Sequence, residues 1–292
     1  MKTNPLIELI ALAAIWGASF LFMRISSPEF GPVLLMALRT LIASIVLLPF
    51  LLLKGQKNAL TGKYKDVFFV GMFNTAIPFV LFGYATLTLS AGVTSVLNAT
   101  TPMFGVLVAF LWFKEKPATS NVVGLLVGFI GVYLLMSDKT GGDSVTVVLP
   151  TLAVLLATFC YGFSANLTKA RLSGMGSLAL ATGSQVSATL VLLPLSLFFL
   201  PENNISDHAV YSVIVLGVIC TGFAYIIFFR LIAAMGPNNA ITVTYLIPVF
   251  GILWGYLFLE ENITTMTIIG SLTILLGVGL TTGVLSRKAI KS

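Results

Sequence analysis

The 292-residue chain is 58% hydrophobic and only 9% charged, against the roughly 25% charged residues of soluble domains, so it lacks the residues to clothe a water-facing surface. Its net charge is +6, but the cations stand singly or in pairs between apolar runs, which excludes the clustered basic stripe of a nucleic-acid-binding protein. Cys160 and Cys220, 60 residues apart inside apolar runs, offer neither a disulfide framework nor a metal-ligand spacing and read as small buried hydrophobes.

A helix that crosses the hydrocarbon core needs about 20 mainly apolar residues. Such windows fall at residues 6–25, 32–53, 67–89, 92–113, 120–137, 147–170, 177–200, 209–234, 238–259 and 265–285. The first follows a lone Lys2 without a small-residue cleavage site, so it is expected to stay in the protein rather than be removed as a signal peptide. Connections are short, as at Ser26–Gly31, Ser90–Ala91, Lys114–Thr119 and Gly236–Pro237; the longest are Lys54–Lys65 and Asp138–Thr146. The expected fold is all-α and integral to the membrane, with ten transmembrane helices.

Charge gives the orientation. With the N-terminus in the cytoplasm, 13 of the 16 cations fall at cytoplasmic ends: Lys2, Lys54, Lys57, Lys63, Lys65, Lys114, Lys116, Lys169, Arg171, Arg230, Arg287, Lys288 and Lys291. The other side holds Arg24 and Lys139, and Arg39 lies within the second window. This asymmetry follows the positive-inside rule and predicts both termini in the cytoplasm.

The chain also repeats itself. Trp16-Gly17-Ala18-Ser19 aligns with Tyr161-Gly162-Phe163-Ser164, and Val46-Leu47-Leu48-Pro49 with Val191-Leu192-Leu193-Pro194, at an offset of 145 residues. One residue further out of step, Pro102-Met103-Phe104-Gly105 aligns with Pro248-Val249-Phe250-Gly251, Glu115 with Glu261, and Gly124 and Gly131 with Gly270 and Gly277. The chain therefore divides into residues 1–143 and 144–292, five windows each. An odd number of spans per half forces the second half to start on the opposite side, giving an inverted repeat as in many secondary transporters.

Several of these residues carry a resemblance. Trp16-Gly17-Ala18-Ser19-Phe20 followed by Arg24, the Pro102 helix ending in Phe113-Lys114-Glu115-Lys116-Pro117, and Gly124, Gly128 and Gly131 resemble the EamA-type repeat of the drug/metabolite transporter superfamily, in two copies over nearly the whole chain. The second copy departs in part, with Tyr161 in place of the Trp and Glu260-Glu261-Asn262 in place of Lys-Glu-Lys. The resemblance implies ten helices, a central cavity between the halves, and export of small metabolites such as amino acids across a bacterial-type inner membrane.

Polar groups inside a bilayer gather at helix contacts or around a watery cavity. In the fourth window Thr94, Asn98 and Thr101 form an i, i+4, i+7 stripe ahead of Pro102, and proline frees a backbone carbonyl. The repeat counterpart sets Thr244 and Tyr245 before Pro248. Trp16, Ser19 and Phe20 in the first window, with Tyr161 and Ser164 in the sixth, supply apolar faces with hydrogen-bonding tips. Asn74 and Pro78 in the third, with Thr221 and Tyr225 in the eighth, make a further repeat-related set. All fourteen are candidates for substrate binding, and for each the competing reading is helix packing. Arg39 could bind a carboxylate bidentately, snorkel, or pair with Glu29; Glu8 could couple protons or pair with a basic residue. These two are the candidates for coupling or gating. His208 reads as a solvated loop residue. The glycine stripe permits close backbone approach, within the chain or in a homodimer.

No Walker-type phosphate loop occurs, so a solute or proton gradient, not ATP, is the expected driving force. With one His and no intramembrane pair of carboxylates, an enzyme is not expected, and neither a cofactor nor a metal is called for. The expected function is a secondary active exporter of small metabolites by alternating access; the alternatives are export of amphipathic solutes or drugs, import or exchange, and then a channel. Its expected partners are the lipid bilayer and a small-molecule substrate, with no nucleic acid.

Overall fold

The structure, a computed structural model, describes residues 4–56, 58–137 and 144–284. Lys2, Lys57, Lys139, Arg287, Lys288 and Lys291 of the charge pattern lie outside the described residues, as does the expected boundary at residue 143. Among the described residues, eight helices are long and apolar enough to cross a membrane. They are α1 (Pro5–Phe30), α2 (Pro32–Leu53), α3 (Tyr64–Ala85), α4 (Ala91–Phe113), α5 (Thr119–Ser137), α6 (Ser144–Arg171), α7 (Ser177–Ser196) and α8 (Asp207–Met235). Two shorter apolar helices of 17 residues follow, α9 (Val243–Leu259) and α10 (Thr265–Thr281).

The ends differ from the apolar windows for local reasons. α1 starts on Asn4, whose side chain accepts from Leu6 N at 3.0 Å, with Pro5 at the first helical position, a combination suited to a helix start. It runs past the expected end to Phe30 because Ser26 returns its hydroxyl to Phe22 O and Ser27 binds Thr86 at 3.1 Å; only Gly31, at φ 69°, remains as the turn. α3 ends at Ala85 rather than residue 89, and the Arg24 guanidinium donates to the freed Thr86 and Leu87 carbonyls, both at 2.7 Å. α4 loosens at Ala99–Thr100, just ahead of Pro102, with i−3 bonds to Val96 O and Leu97 O. Before α9, Pro237–Ala240 makes a separate helical turn.

Two helices contain a widened, π-helical stretch: Met72–Ala76 in α3 and Val218–Phe223 in α8. Such bulges rotate side chains out of α register and often occur at functional sites.

The helices pack in matched pairs: α1 on α9 and α4 on α6, α3 on α7 and α8 on α2, with α2 crossing α7 and α5 lying along α10. Glycine sets the tightest crossings. A Cβ on Gly17 would stand 2.7 Å from Phe250 Cβ, and one on Gly162 2.6 Å from Gly105 N. Between α5 and α10, a Cβ on Gly277 would stand 2.5 Å from Gly128 N. That glycine stripe is thus covered within the chain, which removes it as a free face for dimerisation. Outward, mid-helix Leu126, Leu190 and Leu272 are more than 60% exposed. In a bilayer these side chains meet acyl chains, where their exposure has no hydrophobic cost.

Charged groups collect at the two ends of the bundle. At one end Lys169 pairs with Glu115 at 2.7 Å, Arg171 with Asp66 at 3.2 Å, and Arg230 with Glu8 at 2.7 Å. At the other, Glu29 accepts from Ser206 N and Oγ at 2.6 and 2.7 Å. There too Glu261 accepts from Ala91 N at 2.6 Å and Gly92 N at 3.1 Å, capping the start of α4. His208 lies in the first turn of α8 at that end, its carbonyl accepting from Ser212.

Candidate functional site

A cavity of about 530 Å³ opens in the middle of the bundle, and α1, α2, α3, α4, α6, α7, α8 and α9 all contribute to its wall. Its mouth lies at the end of the bundle that holds Lys169 and Arg230, where Ser177 and Leu180 of α7 and Ile241 ahead of α9 line it. Its floor is Phe20, Met23, Phe79 and Phe82, none more than 6% exposed. Met23 is followed directly by Arg24, which lines a second hollow of about 550 Å³ with Ser90, Val93 and Glu261 at the opposite end. The two hollows share no lining residue.

Aromatic rings make the walls. Trp16 meets Phe228 at 5.2 Å and Tyr225 edge-on at 6.3 Å, Tyr225 stacks on Phe229 at 5.9 Å, and Tyr161 stacks on Phe82 at 5.8 Å. Such contacts hold the rings rigid while leaving faces for an apolar solute. Besides the aromatic tips and Arg39, the polar side chains are few: Ser19, Asn74, Asn98, Thr101, Ser177, Ser184, Thr221 and Thr244. Thr101 and Thr244 return their hydroxyls to Asn98 O and Ile241 O, each at 2.8 Å. The widened stretches deliver Asn74 from α3 and both Cys220 and Thr221 from α8 to the wall. In the latter, Thr221 Oγ1 bonds Leu216 O at 2.8 Å, five residues back.

Arg39 lines the same cavity at 6% exposure. Its Nε donates to Thr221 Oγ1 at 3.0 Å, Nη1 reaches Met23 Sδ at 3.6 Å, and the guanidinium carbon lies 3.9 Å from the centre of the Phe79 ring. It is not paired with Glu29, which Ser206 holds at the far end. Among the described residues no carboxylate contacts it. A ring contact contributes about 0.5–2 kcal/mol, whereas burying an ion costs several kcal/mol, so these neutral neighbours leave much of the charge uncompensated.

Of the residues singled out in the sequence, Trp16, Ser19, Phe20, Arg39, Asn74, Asn98, Thr101, Tyr161, Thr221, Tyr225 and Thr244 come together on this wall. Five do not. Pro78 is buried within α3 behind the widened stretch. Thr94 is fully buried one turn beyond Asn98, past the end of the cavity, with its hydroxyl on Ser90 O at 2.8 Å. Ser164 is 1% exposed within α6, and Tyr245 turns its hydroxyl to Thr282 at 2.6 Å. Glu8 stands at the start of α1 against Arg230. Residues not singled out, such as Met23, Phe79, Phe82 and Ser184, also form the wall. The repeat offers a signal for one of them, since Ser184 stands 145 positions after Arg39. Among the described residues no group of three or more His, Cys, Asp or Glu side chains is placed to hold a metal ion.

Apolar helices around a central cavity with aromatic walls define a multi-pass α-helical membrane protein built to enclose a solute. The sequence matches the EamA-like transporter family over residues 5–137 and 149–283, and the chain belongs to that family. It is similar to the uncharacterized transporter YoaV of Bacillus subtilis, at 22% identity over 98% of this chain and 99% of that one. An uncharacterized transporter of Archaeoglobus fulgidus shares 26% identity over 93% and 96% of the two chains. Protein PecM of Dickeya dadantii shares 25% over 88% and 84%. A solved crystal structure superposes with a TM-score of 0.68 over 99% of both chains at 16% identity, a likeness of fold.

Proposed function

We propose that the protein is a secondary active transporter that moves small metabolites such as amino acids through this cavity by alternating access, and that it works as an exporter. α9 and α10, at 17 residues, stand at the short end of the spanning range of about 17–25 residues, and with them the chain makes ten spans in two inverted halves. The mouth of the cavity lies at the end holding Lys169, Arg171 and Arg230. By the positive-inside rule that end is cytoplasmic, as are both termini, and the membrane is the inner one of a bacterial-type cell.

One observation carries the reading. At the closed end Arg24 and Glu261 each bind backbone, joining α1 to the end of α3 and the end of α9 to the start of α4. Their repeat counterparts, Lys169 and Glu115, at offsets of 145 and 146, bind each other at 2.7 Å at the open end. Two ends built from the same parts, one latched and one not, support an exchange of roles between them. The two states of such a device are close in energy because their contacts are equivalent.

The test is counterflow. Purified full-length protein in liposomes loaded with one unlabelled amino acid should accumulate the labelled form transiently, across a panel that includes aromatic and aliphatic members. A channel equilibrates label without overshoot. If no amino acid, nucleoside or amphipathic drug in the panel is exchanged, the transport reading falls.

A further inference from the structure

Resting on the reading of this cavity as a solute path, we propose that its floor is an anion subsite, in which Arg39 takes the carboxylate of a small solute whose apolar body lies against the aromatic walls.

The charge is the first argument. Arg39 is 6% exposed inside a membrane-spanning helix and lines the cavity. Its Nε and Nη1 have neutral partners, Thr221 and Met23. Among the described residues Nη2 has no acceptor. Every described carboxylate stands near a helix end or in a connection, away from it. An intramembrane cation normally has an anion beside it, and here the open space beside the guanidinium is the solute cavity. The fork of a guanidinium matches a carboxylate, through two parallel hydrogen bonds.

An unused hydroxyl is the second argument. Ser184 lines the same cavity at 1% exposure and its oxygen has no hydrogen-bond partner among the described residues, while Ser19, at 5%, has the Cys220 thiol beside it. Buried hydroxyls are normally satisfied, so an orphaned one in a cavity wall points to a ligand or water. The wall thus offers donors at the cation and, beyond it, the faces of Trp16, Tyr161, Tyr225 and Phe228. An acid with an apolar or aromatic body uses both. The cation that a free phosphate or a sugar phosphate would need in addition is missing from the described wall.

The shared chemistry is an anion, and an inorganic anion such as chloride would supply it too, so the test separates them. Full-length protein in nanodiscs is titrated with phenylalanine, leucine, 3-phenylpropionate and benzoate, and with the matched carboxamides, followed by intrinsic tryptophan fluorescence and thermal stabilisation. Sodium chloride is titrated in a sulfate buffer as a separate arm. The acids are expected to bind at least about tenfold more tightly than their amides, the discrimination of a buried charge-assisted hydrogen bond. Arg39→Gln is expected to abolish that preference and Arg39→Lys to keep part of it. Equal binding of acids and amides by the unmodified protein overturns the proposal, whatever the variants do, as does failure of every acid to bind. Chloride binding that competes with the acids no better than sulfate does supports the organic carboxylate; chloride protecting as well as benzoate overturns it. Acids bound in nanodiscs but not exchanged across liposomes would leave the subsite and remove the transport reading. Exchange of acids and amides alike would do the reverse.

Discussion

Lys114 and Glu260, 146 positions apart, end α4 and α9 in the same left-handed turn, with φ of 59° and 53°. Each donates its backbone N–H to the carbonyl five residues back, Ala109 for one and Gly255 for the other. They are the two non-glycine residues with positive φ among those described. The conformation costs an L-residue about 1–2 kcal/mol, and glycine gives back part of that through its freer unfolded chain. Lys114→Gly is therefore expected to stabilise the detergent-solubilised protein slightly, by up to about 1 kcal/mol, and so to raise its unfolding midpoint. Lys114→Val should lower it. A midpoint lowered by the glycine would show that the Lys114 side chain matters more than its backbone.

The carboxylate that follows Glu260 has a different task. Glu261 satisfies two N–H groups at the start of α4, at a helix end whose dipole favours negative charge. Hydrogen bonds to a charged group contribute about 1.5–3 kcal/mol each way of counting. Glu261→Gln keeps one acceptor and should lose part of this; Glu261→Ala should lose more and open the end that Glu261 latches. Maleimide labelling of Leu87→Cys, in the hollow beside Arg24, should speed up in the Ala background. Unchanged labelling and an unchanged midpoint would rule out a latch here.

The crossing of α4 and α6 offers a paired test of packing. A Cβ on Gly162 would meet Gly105 N at 2.6 Å, whereas one on Gly105 meets nothing within 4 Å. Gly162→Ala is expected to cost about 1–3 kcal/mol, the scale of overpacking, and to reduce the yield of folded protein. Gly105→Ala should fold normally and only narrow the cavity. Size-exclusion profiles and thermal midpoints in one detergent decide between them, and the reverse order would contradict the helix spacing.

Asn98 lines the cavity from the last turn before α4 loosens. Asn98→Ala should lower exchange in liposomes by at least about tenfold, the scale of one lost buried hydrogen bond to solute, without loss of folded protein. Full exchange in that variant would remove Asn98 from the solute path.

How much of this was legible in the sequence differs from element to element. The apolar windows marked the eight helices long enough to cross a membrane and the two shorter apolar ones among the described residues, because lipid demands uninterrupted apolar length, but not their ends. α1 overran its window through the hydroxyls of Ser26 and Ser27, and α3 stopped early where Arg24 could receive its carbonyls. These are contacts, and no window of hydropathy contains them. Asn98 and Thr101 followed the helical stripe to the wall, while Thr94, on the same stripe, lies one turn past the end of the cavity. Periodicity gives a face of a helix; it does not say at what depth that face meets empty space.

Composition and the spacing of apolar runs by themselves determined a membrane-embedded helical protein, because a chain with 9% charged residues has no other solvent to fold against. The repeat and the motif around Trp16 pointed to the transporter family that residues 5–137 and 149–283 match. Only the tertiary structure decided which polar groups meet. It put Arg39 against Thr221 and Phe79 rather than Glu29, and it gave Glu261 and Glu115 different partners. The reason is physical: solvation acts on each segment separately and is written locally, whereas a buried charge is settled by whatever distant helices the packing brings beside it.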